Sequence, residues 1–339
     1  MSNKKIILHI GLPKTATSFL QSCVFPLIKG ICYFGHGNLE TETTPFISLD
    51  ELNKFTISNS NKNQQNIIKV KNELLNYINI LKKKDILFSS EMLTGYLGRY
   101  THNFFNYSLG FSNYLVNAQT IKEIFNEMKI VFVIRKQTSW AESLYNWHIT
   151  KHTKYFLDNN SMDQSCICGI KEYFGYKNDR FVRGKCFDLK DLNWYKMAKD
   201  YINIFGQENV LVLPYELLKE NPNEFLEKFY DFTGFEPYYP EKIEIINSVS
   251  SLNSIKYSPY LSRYNDVINN IPNGFFKNFI QKNDRGFKNI MAKYKKEFNI
   301  SREKFTVTQK NKIMQHFKES NKALSEIMGI SLAQYDYYE

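Results

Sequence analysis

Three short runs of apolar, largely β-branched residues, each followed by a stretch with helical periodicity, organise the chain: KIILHIG before residues 16–28, IVFVIRK before 139–152 and NVLVLPYE before 217–233. A fourth run, DILFSSEML, precedes an irregular aromatic stretch. Strands alternating with helices predict a parallel sheet with helices on both faces, and hence one α/β domain over 1–339 with its core at 4–235. Between the first two strands, Ile67, Leu74, Ile78 and Leu81 fall at helical spacing, which predicts an amphipathic helix ending in a solvated lysine turn. Residues 153–190 mix Asn, Gly, Tyr, Phe and basic residues without a sustained period and read as a loop insertion. Helical patterning returns in a C-terminal extension over 250–335, most clearly in REKFTVTQKNKIMQHFKESNKALSEIM.

Composition narrows the class. With 43% hydrophobic and 16% aromatic residues, the chain can bury a large core. Its 44 Lys and Arg against 34 Asp and Glu give a net charge of +10, which favours anionic partners such as nucleotides, nucleic acid or acidic lipid. The basic residues are scattered and match no nucleic-acid module, so nucleic acid is not expected as a partner. The apolar run behind the N-terminal lysines is short and contains His9, unlike a signal peptide, and no run nears the roughly 18 apolar residues of a membrane span. A cytoplasmic protein without an integral membrane segment is expected. The cysteine count of five is odd and the spacing sparse, which predicts reduced thiols. Cys166, Cys168 and Cys186 with His152 lack zinc-ribbon or zinc-finger spacing, and no metal is expected.

The candidate chemistry begins in GLPKTATS, where a strand ends at Gly11 and a helix begins near Thr15 to Thr17. Unpaired N–H groups at such a helix start attract anions. Against the ATP-type loop G-x-x-x-x-G-K-[ST], the second glycine is Ala16 and the lysine is Thr17, leaving only Ser18 in register. Lys14 instead precedes the helix, within reach of an oxygen bridging two anionic groups. A second site is predicted where Arg135 ends a strand before SWAE, read as a capping box with Ser139 as N-cap and Glu142 reaching back. Arg135 with Ser143 beyond it makes a phosphate site, because guanidinium binds phosphate oxygens in pairs.

PKTATSFL resembles the 5′-phosphosulfate loop of sulfotransferases that use 3′-phosphoadenylyl sulfate (PAPS), whose usual form is P-K-[ST]-G-T-[TS]-x-L. Arg135, Ser143 and Tyr145 resemble that family's 3′-phosphate motif, and the stretch from WYKMAKDY through FG to YELL is similar to one in its bacterial members. The resemblance implies a P-loop-like sulfotransferase fold in which Pro13, Lys14, Thr15, Ala16, Thr17 and Ser18 hold the 5′-phosphosulfate end and Arg135 and Ser143 the 3′-phosphate. PAPS would be the donor, its product being adenosine 3′,5′-bisphosphate (PAP), with Lys14 stabilising the leaving oxygen. Ala16 stands where the family has glycine, a change small enough to keep close backbone approach. The family's Arg-Lys-Gly loop has two candidates, DRGFK around Arg285 and VRGK around Arg183.

Family members use a histidine or a glutamate as base. Glu91, in LFSSEML, fits the glutamate position, with His102 and His148 in reserve. The acceptor pocket is implied to form from GYLGRYTHNFFNYSLGF and 153–190, placing Arg99, His102, His148 and Arg183 near the substrate. Aromatic faces with basic groups suit a sugar, including an acidic glycan, and equally a phenol or lipid headgroup. The expectation is sulfation of a carbohydrate hydroxyl. Two alternatives remain at this point: a nucleotide kinase of the related fold, and a non-catalytic basic protein binding nucleic acid or a membrane surface.

Overall fold

The apolar runs become the strands of one parallel sheet. The computed structural model describes residues 4–35, 72, 85–94, 114–125, 127–159, 168–241, 254–257, 296–299 and 303–338. Four strands, β1 (Ile6–Gly11), β2 (Ile31–Phe34), β3 (Asp85–Ser89) and β4 (Lys129–Ile134), come first. β5 (Tyr176–Lys177) and β6 (Arg180–Phe181) pair as a small antiparallel hairpin, and β7 (Val210–Pro214) returns to the main sheet. The sheet order is β2-β3-β1-β4-β7, with every neighbouring pair parallel. Ile7 to Ile10 of β1 and Ile130 to Ile134 of β4 are all buried, because helices cover both faces. Each buried Ile, Leu or Val there contributes about 1.5–3 kcal/mol relative to exposure.

The topology fixes where a ligand can bind. β1 lies between β3 and β4, so successive crossovers leave it in opposite directions, and a crevice opens beyond the carboxyl ends of these three strands. Gly11, Ser89 and Ile134 are those ends; Pro13 to Ser18, Glu91 and Arg135 follow them directly.

The chain after β1 turns through α1 (Thr17–Phe19), a π-helical stretch at Leu20–Val24 and a 3₁₀ turn at Phe25–Leu27 that contains Pro26. α2 (Tyr114–Ile124) leads into β4, and α3 (Gln137–Asn159) leaves it. After the short α4 (Ile170–Phe174) and the hairpin, α5 (Trp194–Phe205) buries Trp194, Met197, Ala198, Tyr201 and Phe205, a helical stripe capped by Asn193, whose side chain accepts from Lys196 N. The helical run expected after β7 is broken at Asn221 and Pro222 into α6 (Tyr215–Glu220) and α7 (Pro222–Thr233), since proline suits a first helical position.

Several expectations need amendment. β2 is an additional edge strand of four half-buried residues, too short to stand out as a run. The segment read as a loop insertion carries α3 on to Asn159, then α4 and the hairpin. The C-terminal extension is only partly helical, since β8 (Ser254–Tyr257) and β9 (Lys296–Asn299) pair antiparallel before α8 (Val307–Met328). α8 opens on a full capping box between Thr306 and Gln309. The helix expected over residues 67–81 lies outside the described residues apart from residue 72, which is helical.

Candidate functional site

The loop after β1 is held by its carbonyls. Leu12 O accepts from Thr15 Oγ1 at 2.6 Å and from Thr17 Oγ1 at 3.2 Å. Pro13 O accepts from Trp140 Nε1 at 2.7 Å, and Lys14 O from Arg135 Nη1 at 2.9 Å. In a trans peptide the N–H points opposite to the preceding C=O, so clamping these carbonyls toward the protein turns the Lys14 and Thr15 N–H groups the other way. Lys14 and Ala16 both adopt left-handed backbone, with φ of 67° and 66°. That conformation costs a non-glycine residue about 1–2 kcal/mol, and it is sustained by the clamped surroundings. Turns of this kind gather N–H groups into an anion-binding concavity. Gly11 is required for closure: a Cβ there would stand 2.5 Å from Thr17 Cγ2 and Oγ1.

Lys14 is half-buried, with Nζ 5.9 Å from the centroid of the Trp147 ring. Its charge also acts on Glu91, the first residue of a 3₁₀ turn after β3. Burial pushes the Glu91 carboxyl up to about 7; the Lys14 ammonium and a hydrogen bond from Thr17 oppose the rise. A carboxylate that titrates near neutrality is suited to accept a proton. At the end of β3, two residues before Glu91, His9 Nδ1 and Ser89 Oγ lie 2.8 Å apart, and Gln21 Nε2 donates to Ser89 Oγ at 2.9 Å, tying β1 to β3. His9 is fully buried and held down to about 3, so it stays neutral and offers no base at ordinary pH.

Arg135 ties the loop after β1 to the start of α3. Its Nε donates to Ser139 Oγ at 2.8 Å while Nη1 holds Lys14 O, and its guanidinium stacks 4.5 Å above the Tyr215 ring. Among the described residues Nη2 has no hydrogen-bond partner. Arg135 O accepts from Trp194 Nε1 at 2.8 Å. Glu216 supplies a counter-charge in the field of Arg135, its carboxylate accepting from Lys136 N and Tyr337 OH.

The capping box expected at Ser139 does not form. α3 already begins at Gln137, with Trp140 N donating to Lys136 O at 2.8 Å, so Ser139 lies within the first turn and its hydroxyl accepts from Arg135. Glu142 turns away to accept from Phe305 N at 2.9 Å and to pair with Lys310, also at 2.9 Å. Tertiary partners have displaced the local cap.

Lys14, Thr17, Glu91 and Arg135 are thus linked by direct contact or field. The Thr15 hydroxyl is spent on Leu12 O, leaving its N–H for a ligand. Ser18 and Ser143 are half-buried, and their hydroxyls make no hydrogen bond among the described residues. Arg183 is exposed just past β6, with no contact to Lys14, Glu91 or Arg135 among the described residues. Arg99, His102, Arg285 and the His148 side chain lie outside the described residues. Sequence reasoning missed Trp140, Trp147, Trp194 and Tyr215. The signal available was three tryptophans in the whole chain, all in helices that flank the Arg135 strand end.

No group of three or more His, Cys, Asp or Glu among the described residues is arranged to hold a metal ion, and no described helix is long and apolar enough to cross a membrane.

A family model described as "Sulfotransferase domain" matches residues 4–326. A sulfotransferase from Alicyclobacillus acidocaldarius, known from a crystal structure, superposes with a TM-score of 0.52 at 11% identity, covering 99% of this chain and 100% of its own. A mouse sulfotransferase crystallised with PAP superposes with a TM-score of 0.33 at 15% identity, over 70% of this chain and 62% of its own. Comparison with curated proteins finds no match.

Proposed function

The chain belongs to the sulfotransferase domain family, and from that premise we propose that it transfers the sulfuryl group of PAPS to an acceptor hydroxyl on a carbohydrate, with Glu91 as base. The observation that carries this reading is the cluster at the sheet's carboxyl edge, where Arg135 reaches from one anion site to the Lys14 carbonyl of the other. The donor groups fit a nucleotide charged at both ends. Outward N–H groups and Lys14 suit the 5′-phosphosulfate, while Arg135 Nη2, without a partner among the described residues, and the Ser143 hydroxyl suit the 3′-phosphate.

PAPS supplies a sulfuryl group already activated by its anhydride link to phosphate. Lys14 stabilises the negative charge that grows on the bridging oxygen, an interaction stronger in the transition state than in the ground state. Glu91, deprotonated above about 7, takes the acceptor proton. As the acceptor oxygen bonds to sulfur, the bond from sulfur to the bridging oxygen breaks, and its electron pair leaves with PAP. Positive charge from lysine, arginine and backbone N–H groups suffices for this scheme without a metal. We place the enzyme in the cytoplasm as a single-domain protein of the bacterial type. The aromatic and basic composition of residues 95–111 and 153–190 suits a carbohydrate acceptor.

A kinase reading gains nothing from the geometry. Thr17, at the P-loop lysine position, is buried with its hydroxyl donated to Leu12 O. The proposal is tested by incubating the protein with PAPS labelled in its sulfur and a panel of neutral polysaccharides, acidic polysaccharides and simple phenols. Label is expected in a polysaccharide, with PAP formed in equal amount. Label confined to the phenols would overturn the carbohydrate assignment, and turnover of magnesium ATP with none of PAPS would overturn the reaction.

A further inference from the structure

Two buried tryptophans close a ring of contacts through the nucleotide site. Trp140 Nε1 donates to Pro13 O at 2.7 Å. The Trp140 ring meets the Trp194 ring edge to face, with centroids 5.8 Å apart. Trp194 Nε1 donates to Arg135 O at 2.8 Å, and Arg135 Nη1 donates to Lys14 O, the residue after Pro13, at 2.9 Å. Both rings are fully buried. Trp140 also sits on α3 one turn before Ser143, so the same indole that fixes the 5′ loop fixes the helix carrying the second hydroxyl.

We infer that Trp140 and Trp194 are positioning residues which set the separation of the two phosphate subsites before the nucleotide arrives, so that a ligand carrying both phosphates gains more than either phosphate contributes alone. This rests on the two-phosphate reading above. Two linked groups on one ligand bind as a chelate, and the second gains its full effect only when its subsite already stands at the right distance. Neither indole touches the ligand. Each holds a main-chain carbonyl of one subsite, and the rings pack on each other, so loss of either N–H loosens the spacing while removing none of the groups that would contact phosphate.

The experiment is calorimetric titration of PAP, 5′-AMP and 3′-AMP into the wild-type protein, Trp140→Phe and Trp194→Phe. Phenylalanine keeps an aromatic ring and removes the N–H. The ratio of PAP affinity to 5′-AMP affinity is expected to fall about five- to tenfold in each variant, the equivalent of one buried hydrogen bond, with 3′-AMP affinity nearly unchanged. Tryptophans with a purely structural role would lower thermal stability yet leave that ratio at its wild-type value, and this result would overturn the inference. A wild-type ratio near one would instead overturn the two-phosphate reading itself. If one variant fails to fold, the other suffices, since each breaks the ring at a different link and the same fall in the ratio is expected from either.

Discussion

Lys14→Ala is expected to lower turnover about 10²–10³-fold, roughly 3–4 kcal/mol of transition-state stabilisation, while the protein folds and still binds PAP. The loop conformation does not depend on the Lys14 side chain, because the clamps fall on the carbonyls of Leu12, Pro13 and Lys14. The ammonium is half-buried, facing Trp147 and Glu91, so the local effect of truncation falls on the Glu91 carboxyl and not on the loop backbone. Charge on the bridging oxygen appears only as the bond to sulfur breaks, so the loss belongs in kcat. Steady-state kinetics with PAPS check this; a raised KM at unchanged kcat would make Lys14 a ground-state ligand only. The same change removes the cation that holds the Glu91 carboxyl down, so the acid limb of the residual activity should move to higher pH.

Glu91→Gln should cut turnover about 10²–10⁴-fold and leave PAP affinity nearly intact. With Glu91 as the proposed base, the carboxyl must be deprotonated to act, so kcat/KM is expected to rise with pH up to about 7 and level off above it. The glutamine variant should lose that limb. Stability moves in the opposite sense. The folded carboxyl binds its proton more tightly than the unfolded one, so stability falls as pH rises from the ordinary carboxylate range through about 7. Glutamine removes that loss, and at pH 8 the variant should melt no lower than its parent. A variant that binds PAP poorly but turns over each bound complex at the parental rate would remove Glu91 as base.

What the sequence disclosed was mostly local in cause. β1 and β4 are buried on both faces and stand out as unbroken apolar runs. The three strand ends that bear Lys14, Glu91 and Arg135 follow from those runs and from the crossover rules of parallel sheets. The failures have tertiary causes. Ser139 and Glu142 carry a sound capping pattern, yet Arg135, Phe305 and Lys310 claim their side chains, two of these from the far end of the chain. Trp140 and Trp194 lie on different helices, and nothing in either helix discloses that their indoles end on the carbonyls of Pro13 and Arg135. The left-handed backbone at Lys14 and Ala16 was equally hidden, since neither is a residue type that favours it.

Calorimetric titration of PAP, 5′-AMP and magnesium ATP into the unmodified protein tests the proposed two-phosphate site directly, without a variant or an acceptor. PAP is expected to bind about ten- to a hundredfold tighter than 5′-AMP, the contribution of charge-assisted hydrogen bonds from Arg135 to a second phosphate. PAP binding no tighter than 5′-AMP, or ATP binding tighter than both, would show that the cleft is not built for a nucleotide phosphorylated at both ends.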